Sequence, residues 1–234
     1  FLLGAIFGKL MEDSGAAAKI AEVVVRCVGV KRAILAIVLS CAILTYGGVS
    51  LFVVVFAVFP LARSLFQQAD VPMRLIPASI ALGSFTFTMT ALPGTVQIQN
   101  QIPMPFFRTN SFAAPGLGCI GGLIMFCLGL LWLNSRAVRA RKLNEGFGVV
   151  VPEKTSVPDS TASDGDALLP TAWIAFAPIV TVVVLNFMFS QVVIPTWNAD
   201  YLADEQFGRT SLNKLVGIWS TILSMLSALL LIVA

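Results

Sequence analysis

The chain has 234 residues, of which 57% are hydrophobic and 12% charged, and its mean hydropathy is +0.90. A soluble domain is usually about a quarter charged, so the composition excludes one and points to an integral membrane protein. The net charge of +3 is small, and the basic residues sit at the ends of apolar runs rather than in a patch, which points away from nucleic acid.

A spanning helix needs roughly 20 mostly apolar residues, so the expected fold is an all-α polytopic membrane protein. Residues 1–11 are apolar apart from Lys9 and run into Glu12-Asp13-Ser14-Gly15. Residues 16–28 resume a helical pattern, with Ser14 placed to cap it. The outline is helix, break, helix. Arg26, Lys31 and Arg32 flank a short connection. Residues 33–46 predict an apolar helix, Gly47-Gly48 a turn, and 49–66 the next helix, with Pro60 near its end. Arg63 and Arg74 flank the loop that follows. Residues 75–90 re-enter the membrane and dissolve into a broken stretch, and 112–134 form a clear span.

Residues 135–168 are the one long hydrophilic segment. They open with Arg136, Arg139, Arg141 and Lys142 and become rich in Ser, Thr, Asp and Pro. Such a segment cannot bury a core and reads as a flexible linker. Residues 170–193 form the next span, 195–210 a loop bearing Asp200, Asp204 and Glu205, and 212–234 the last span. The chain begins at Phe1 and stops within LSALLLIVA, so an internal piece of a longer protein is expected. The organisation is then a first membrane region over 1–134 with two helix breaks, a linker over 135–169 and a second membrane region over 170–234. Lys and Arg near span ends mark the cytoplasmic side. The three basic clusters are separated by pairs of helices, so all three fall on that side and the acidic loop falls outside. Trp132 and Trp173 flank the linker as interfacial residues do.

Two interrupted segments carry the candidate chemistry. One is Glu12 to Gly15. The other, TALPGTVQIQN, runs from Thr90 to Asn100 and holds Pro93, Gly94, Thr95 and Gln97. Open backbone at membrane depth survives only where protein or water satisfies it, and transporters bind solutes at such breaks. A break frees amides at the start of the next half-helix, which suit an anion. It also frees carbonyls, which suit a cation or a proton-bearing group. The candidate binding residues are Ser14, Gly15, Thr90, Pro93, Gly94, Thr95, Gln97 and Asn100. Gly83, Thr86 and Thr88 lie just upstream and fit close helix packing equally well. Asp13 and Glu12 are the candidates for coupling, because acidic groups in membrane segments are costly and burial lets a carboxylate hold a proton. An interfacial helix-end role for that pair stays open. Lys9 can pair with Asp13 one turn away. Arg108 suits a cargo carboxylate or an interfacial anchor.

No histidine is present, and Cys27, Cys41, Cys119 and Cys127 form no C-x-x-C pair. The cysteines read as packing residues, and neither cofactor nor metal is expected. The Gly118–Gly122 spacing is a packing signal. No phosphate-binding loop or hydrolase motif occurs, so an enzyme is not expected.

GAIFGKLMEDSGAAAKIA, from Gly4 to Ala21, resembles the segment with an acidic-Ser-Gly-Ala core in the gluconate permease (GntP) family. The run from Phe52 to Leu61, ending in Pro-Leu, is similar to that family as well. TALPGT falls where those permeases carry a proline-rich break. The family's break commonly carries histidines, and this chain has none. The resemblance implies a multi-pass protein of the cytoplasmic (inner) membrane that moves gluconate or a related sugar or hydroxy acid together with protons. It also implies inverted repeats, paired re-entrant hairpins and elevator-like movement, as in the wider ion-transporter superfamily, and a homodimer is compatible with it. Sodium coupling is the alternative mechanism. A membrane-embedded enzyme or assembly subunit is the alternative of another class.

Overall fold

The computed structural model describes residues 2–89, 92–148, 171–198, 202 and 212–233, and every described secondary-structure element is helical. The principal helices are α1 (Leu2–Asp13), α2 (Ala16–Val28), α3 (Ala33–Tyr46), α4 (Leu51–Gln68) and α5 (Ile76–Met89). Two single-turn helices follow, α6 (Ile98–Gln101) and α7 (Met104–Phe107), and then α8 (Pro115–Lys142), α9 (Ala172–Met188) and α10 (Leu212–Val233). Four helical stretches among the described residues are long and apolar enough to cross a membrane: Leu51–Gln68, Pro115–Lys142, Ala172–Thr196 and Leu215–Val233. The helices Ala16–Val28 and Val30–Tyr46 pass the same test as a pair bent by 103°. The chain is therefore an all-α polytopic membrane protein.

α3 is the hub. It is apolar on every face, as a helix buried all round must be, and α2, α4 and α5 pack against it. The approach of α5 is closest at Gly83, where a Cβ would collide with the Val38 carbonyl and stand 2.7 Å from the Cys41 Cβ. Without a hydrophobic force between helices in lipid, small residues of this kind let backbones touch. α8 does the opposite. Leu117, Ile120, Leu123, Leu128 and Leu131 are all exposed on it, the surface that lipid would cover.

The connection between α4 and α5 meets the end of α8. Arg74 donates to Glu145 at 2.6 Å, and the Phe147 amide donates to Asp70 Oδ1 at 3.0 Å. Arg74 and the Arg139–Lys142 cluster thus lie at one end of the molecule, as expected from the charge pattern. Arg136 stacks over Trp132 at 5.2 Å. On α2, Glu22 accepts from Lys19 at 3.0 Å and also pairs with Arg26, so the charges on that short helix are mutually offset. α3 and α5 have 14 residues each. At ~1.5 Å per residue they reach about 21 Å, short of the ~30 Å hydrocarbon core.

Three local readings differ from the sequence expectation. α8 runs to Lys142, past the apolar run, and its last turn carries Arg139, Arg141 and Lys142, which suit a helix C-terminus. The N-cap position of α2 falls on Gly15, at φ 70°, so Ser14 lies one residue earlier than expected. Its Oγ still accepts from the first amide of α2, Ala16, at 3.5 Å while donating to the Met11 carbonyl at 3.4 Å. α9 ends in a π-helical turn, Phe189–Val193, instead of continuing as a regular helix. Most of the expected linker (149–170), and Asp200, Asp204 and Glu205, lie outside the described residues.

Candidate functional site

Two helix breaks face each other. The first ends α3. Gly48, at φ 97°, turns the chain, and the amides of Gly48 and Val49 fold back onto the carbonyls of Thr45 and Leu44 at 3.1 Å each. This is the Schellman closure that glycine permits. The second break follows α5. Gly94 takes φ 80°, and its amide donates to the Ser111 carbonyl at 2.7 Å.

Side chains lock the two breaks together. Tyr46 Oη donates to the Pro93 carbonyl at 2.7 Å. In return, Gln97 Nε2 donates to the Thr45 carbonyl at 2.6 Å, with the Val49 carbonyl at 3.3 Å. Asn186 on α9 donates to the Gly94 carbonyl at 3.2 Å. The unwound peptide thus finds protein partners, which is the condition for its survival away from water. Its dipoles at Pro93 and Gly94 are consequently engaged, not bare as the sequence suggested. The next contact along the chain is Gln101, at the end of α6, whose Nε2 donates to Thr221 Oγ1 on α10 at 2.9 Å. Its Oε1 is buried and has no partner.

A cavity of about 380 Å³ opens between these breaks, the start of α1 and α10. That is within the usual range for small-molecule sites, about 300–1,000 Å³. Its polar wall is Ser50, Gln97, Gln99, Gln101 and Thr221, and its apolar wall includes Leu3, Val96, Ile222 and Met225. Among the described residues, no charged one lines it. The start of α4 does, through Ser50, Leu51 and Phe52, and no side chain caps that helix. The first amides of a helix lack intrahelical partners and carry partial positive charge. A negative group in this cavity would therefore meet dipoles and amide donors rather than a cation. Gly48 shapes the wall, since a Cβ there would stand 2.8 Å from Val96.

Of the sequence candidates, Gln97 lines this cavity, and Gly94 and Thr95 are part of the break behind it. Pro93 contributes its carbonyl to Tyr46. Asn100 is partly buried in α6 and does not line the cavity, and Thr90 lies outside the described residues. Glu12, Asp13, Ser14 and Gly15 do not line it either. Gly4, on the cavity wall, and Asp13, the last residue of α1, are nine residues apart on one helix, about 13.5 Å at ~1.5 Å per residue, and Ser14 follows. Asp13 and Ser14 are exposed there, and Asp13 pairs with Lys9 at 2.8 Å. The two interrupted segments named from sequence therefore do not converge. The partner of the Pro93 break is the Gly47-Gly48 turn.

Sequence reasoning missed Ser50, Tyr46, Gln101, Asn186 and Thr221 as parts of this site. Asn186 had a signal, a lone amide within the apolar run VVVLNFMF, where a polar group needs a reason. Ser50 followed a Gly-Gly pair already read as a turn. Thr221 had none, because its role depends on where α10 packs.

A family model described as GntP family permease matches residues 1–233. The chain is 48% identical over 227 residues to the uncharacterized transporter YxjC of Bacillus subtilis strain 168, an overlap covering 94% of this chain and 48% of that protein. It thus spans about half the length of the curated relative it matches. No solved structure matches it significantly.

Proposed function

Because this chain belongs to the GntP family of permeases, we propose that it moves a small organic anion, such as gluconate or a related sugar or hydroxy acid, across the cytoplasmic membrane. The observation that carries the proposal is the cavity between the two breaks, mainly apolar with one polar wall of amides and hydroxyls, free of charged side chains among the described residues, with an uncapped helix start in its wall. Hydroxyl groups of a sugar acid match Gln97, Gln99, Gln101 and Thr221. Its carboxylate matches the first amides of α4. Dipoles hold an anion without a full counter-charge, so the cargo can both enter and leave. A lysine or arginine in the same place would hold it more firmly.

The transport cycle in this reading is secondary and driven by protons, with Asp13 at the exposed α1–α2 turn as the first candidate for coupling and Glu12 as the second. Ser14 and Gly15 would join the cargo only after movement of that hairpin. Such movement is the elevator-like step of a carrier with inverted repeats, and a homodimer would supply its fixed frame. The Arg74 and Arg139–Lys142 end would face the cytoplasm. Sodium coupling is the second reading. The buried Gln101 Oε1, which no donor satisfies, favours it as a hard oxygen beside the Thr221 hydroxyl.

The test is counterflow in proteoliposomes holding the full-length protein, with labelled gluconate and a panel of hydroxy acids, under proton and sodium gradients in turn. Exchange of a sugar acid, reduced more than about tenfold by Gln97→Ala, supports the proposal. No exchange of any organic acid at any pH removes it.

A further inference from the structure

A second cavity, of about 620 Å³, lies beyond the Gly94–Ser111 wall. Its polar lining is Arg108, Thr109, Asn110, Ser190 and Gln191, and among the described residues no carboxylate contributes to it. Arg108 closes α7 in a left-handed turn at φ 54° and makes no ion pair among the described residues. Asn110 spends its Oδ1 on the Phe112 amide at 2.9 Å, which leaves its NH2 as the free end. Ser190 is only 2% exposed, and its Oγ has no hydrogen-bond partner. It sits in the π-helical turn that ends α9, and such turns recur at functional sites. A buried hydroxyl without a partner is costly, and here it stands in the same wall as the Arg108 guanidinium and the Asn110 and Gln191 amides.

α10 connects this cavity to the first. Val216 lines the Arg108 cavity and Thr221 the other. Those positions are five residues apart, about 7.5 Å at ~1.5 Å per residue. Gln101, bound to Thr221 at 2.9 Å and near Ser111 Oγ at 3.4 Å, stands between them.

We infer that the Arg108 cavity is a second anion site, built to take a carboxylate, that receives the cargo before or after the charge-free cavity. The inference rests on the reading that the cargo is an organic anion. A guanidinium presents a planar fork of donors that matches a carboxylate in two-point contact. Ser190 Oγ–H and the Asn110 amide would complete the set. Charge attracts the anion here, and the uncharged cavity next to it takes the anion without holding it.

The test uses the full-length protein with its native cysteines replaced and Gln191→Cys as reporter. Methanethiosulfonate reagents of opposite charge, sulfonatoethyl and trimethylammonioethyl, are compared against their rates with a free thiol. The expected result is a preference for the anionic reagent of about fivefold or more. Arg108→Gln removes the preference, Arg108→Lys keeps most of it, and gluconate slows the reaction where a neutral polyol does not. Thr109→Cys serves as the reporter if the first variant is not recovered. No charge preference, a preference that survives Arg108→Gln, or failure of every carboxylate to protect overturns the inference. Proteoliposome exchange is read separately. Exchange without protection removes this site alone, whereas protection without exchange keeps the site and removes the transport reading.

Discussion

Tyr46 and Pro93, 47 residues apart in the chain, meet through a 2.7 Å hydrogen bond from the tyrosine hydroxyl to the proline carbonyl. Tyr46 ends α3 and Pro93 lies in the break that follows α5, so the bond joins the two breaks. A carbonyl released from a helix and kept from water needs a donor. Tyr46 supplies it to one break, while Gln97 supplies the same service to the other.

Tyr46→Phe keeps the ring and deletes the donor. A half-buried carbonyl then loses its partner, at a cost of about 1–3 kcal/mol. The apparent melting temperature of the full-length protein in detergent is expected to fall by several degrees. An unchanged value would show that water or a neighbouring group replaces the hydroxyl.

Gln97→Glu preserves length and replaces the donor by acceptors. The new side chain would face two carbonyls, Thr45 and Val49, that it cannot satisfy. Uptake by intact cells, normalised to protein level, should fall further for Gln97→Glu than for Gln97→Asn, which keeps a donor. Equal loss in both would mean that side-chain length matters rather than donation.

Gly94→Ala tests the second break. Its φ of 80° is costly for a residue with a Cβ, about 1–2 kcal/mol. That Cβ would also stand 3.0 Å from the Phe112 ring. Adding Phe112→Leu should recover part of the lost stability, the part due to contact, and leave the backbone strain. Full recovery would mean that the positive φ imposes no strain.

Gly83→Ala and Gly121→Ala make a paired comparison. The first places a methyl against the Val38 backbone, whereas the second points into open space. The expected cost is about 3 kcal/mol for the first, at the high end for overpacking, and under ~0.5 kcal/mol for the second. Monodispersity on size-exclusion chromatography reads the difference, and similar profiles would argue against the α3–α5 contact.

Asp13→Asn separates charge pairing from coupling. Asp13 and Lys9 are both exposed, so their bond contributes little to stability. If Asp13 carries the proton, the variant keeps counterflow and loses accumulation driven by an acid gradient. Unimpaired accumulation would move the coupling role elsewhere.

Much of the fold was legible because lipid imposes simple rules. Apolar runs of the right length marked the spans at Leu51–Gln68, in the first part of α8 and in the last two, and basic residues at helix ends marked one end of the molecule. Pro93-Gly94 announced a break because proline lacks a donor and glycine tolerates positive φ. Which groups answer that break was not legible. Tyr46, Asn186 and Thr221 reach it from α3, α9 and α10, and only the packing of those helices brings them within 3.2 Å of their partners.

Local chemistry thus determined where helices form and where they stop, since hydrophobicity, proline and glycine act within a few residues of themselves. The tertiary structure decided that the Pro93 break faces the Gly47-Gly48 turn and not the Ser14-Gly15 turn. It also decided that no charged side chain among the described residues lines the cavity and that Arg108 lines a separate one. Hydrogen bonds between residues 47 to 120 positions apart set those outcomes, and a pattern read along one segment contains no record of which distant segment will satisfy it.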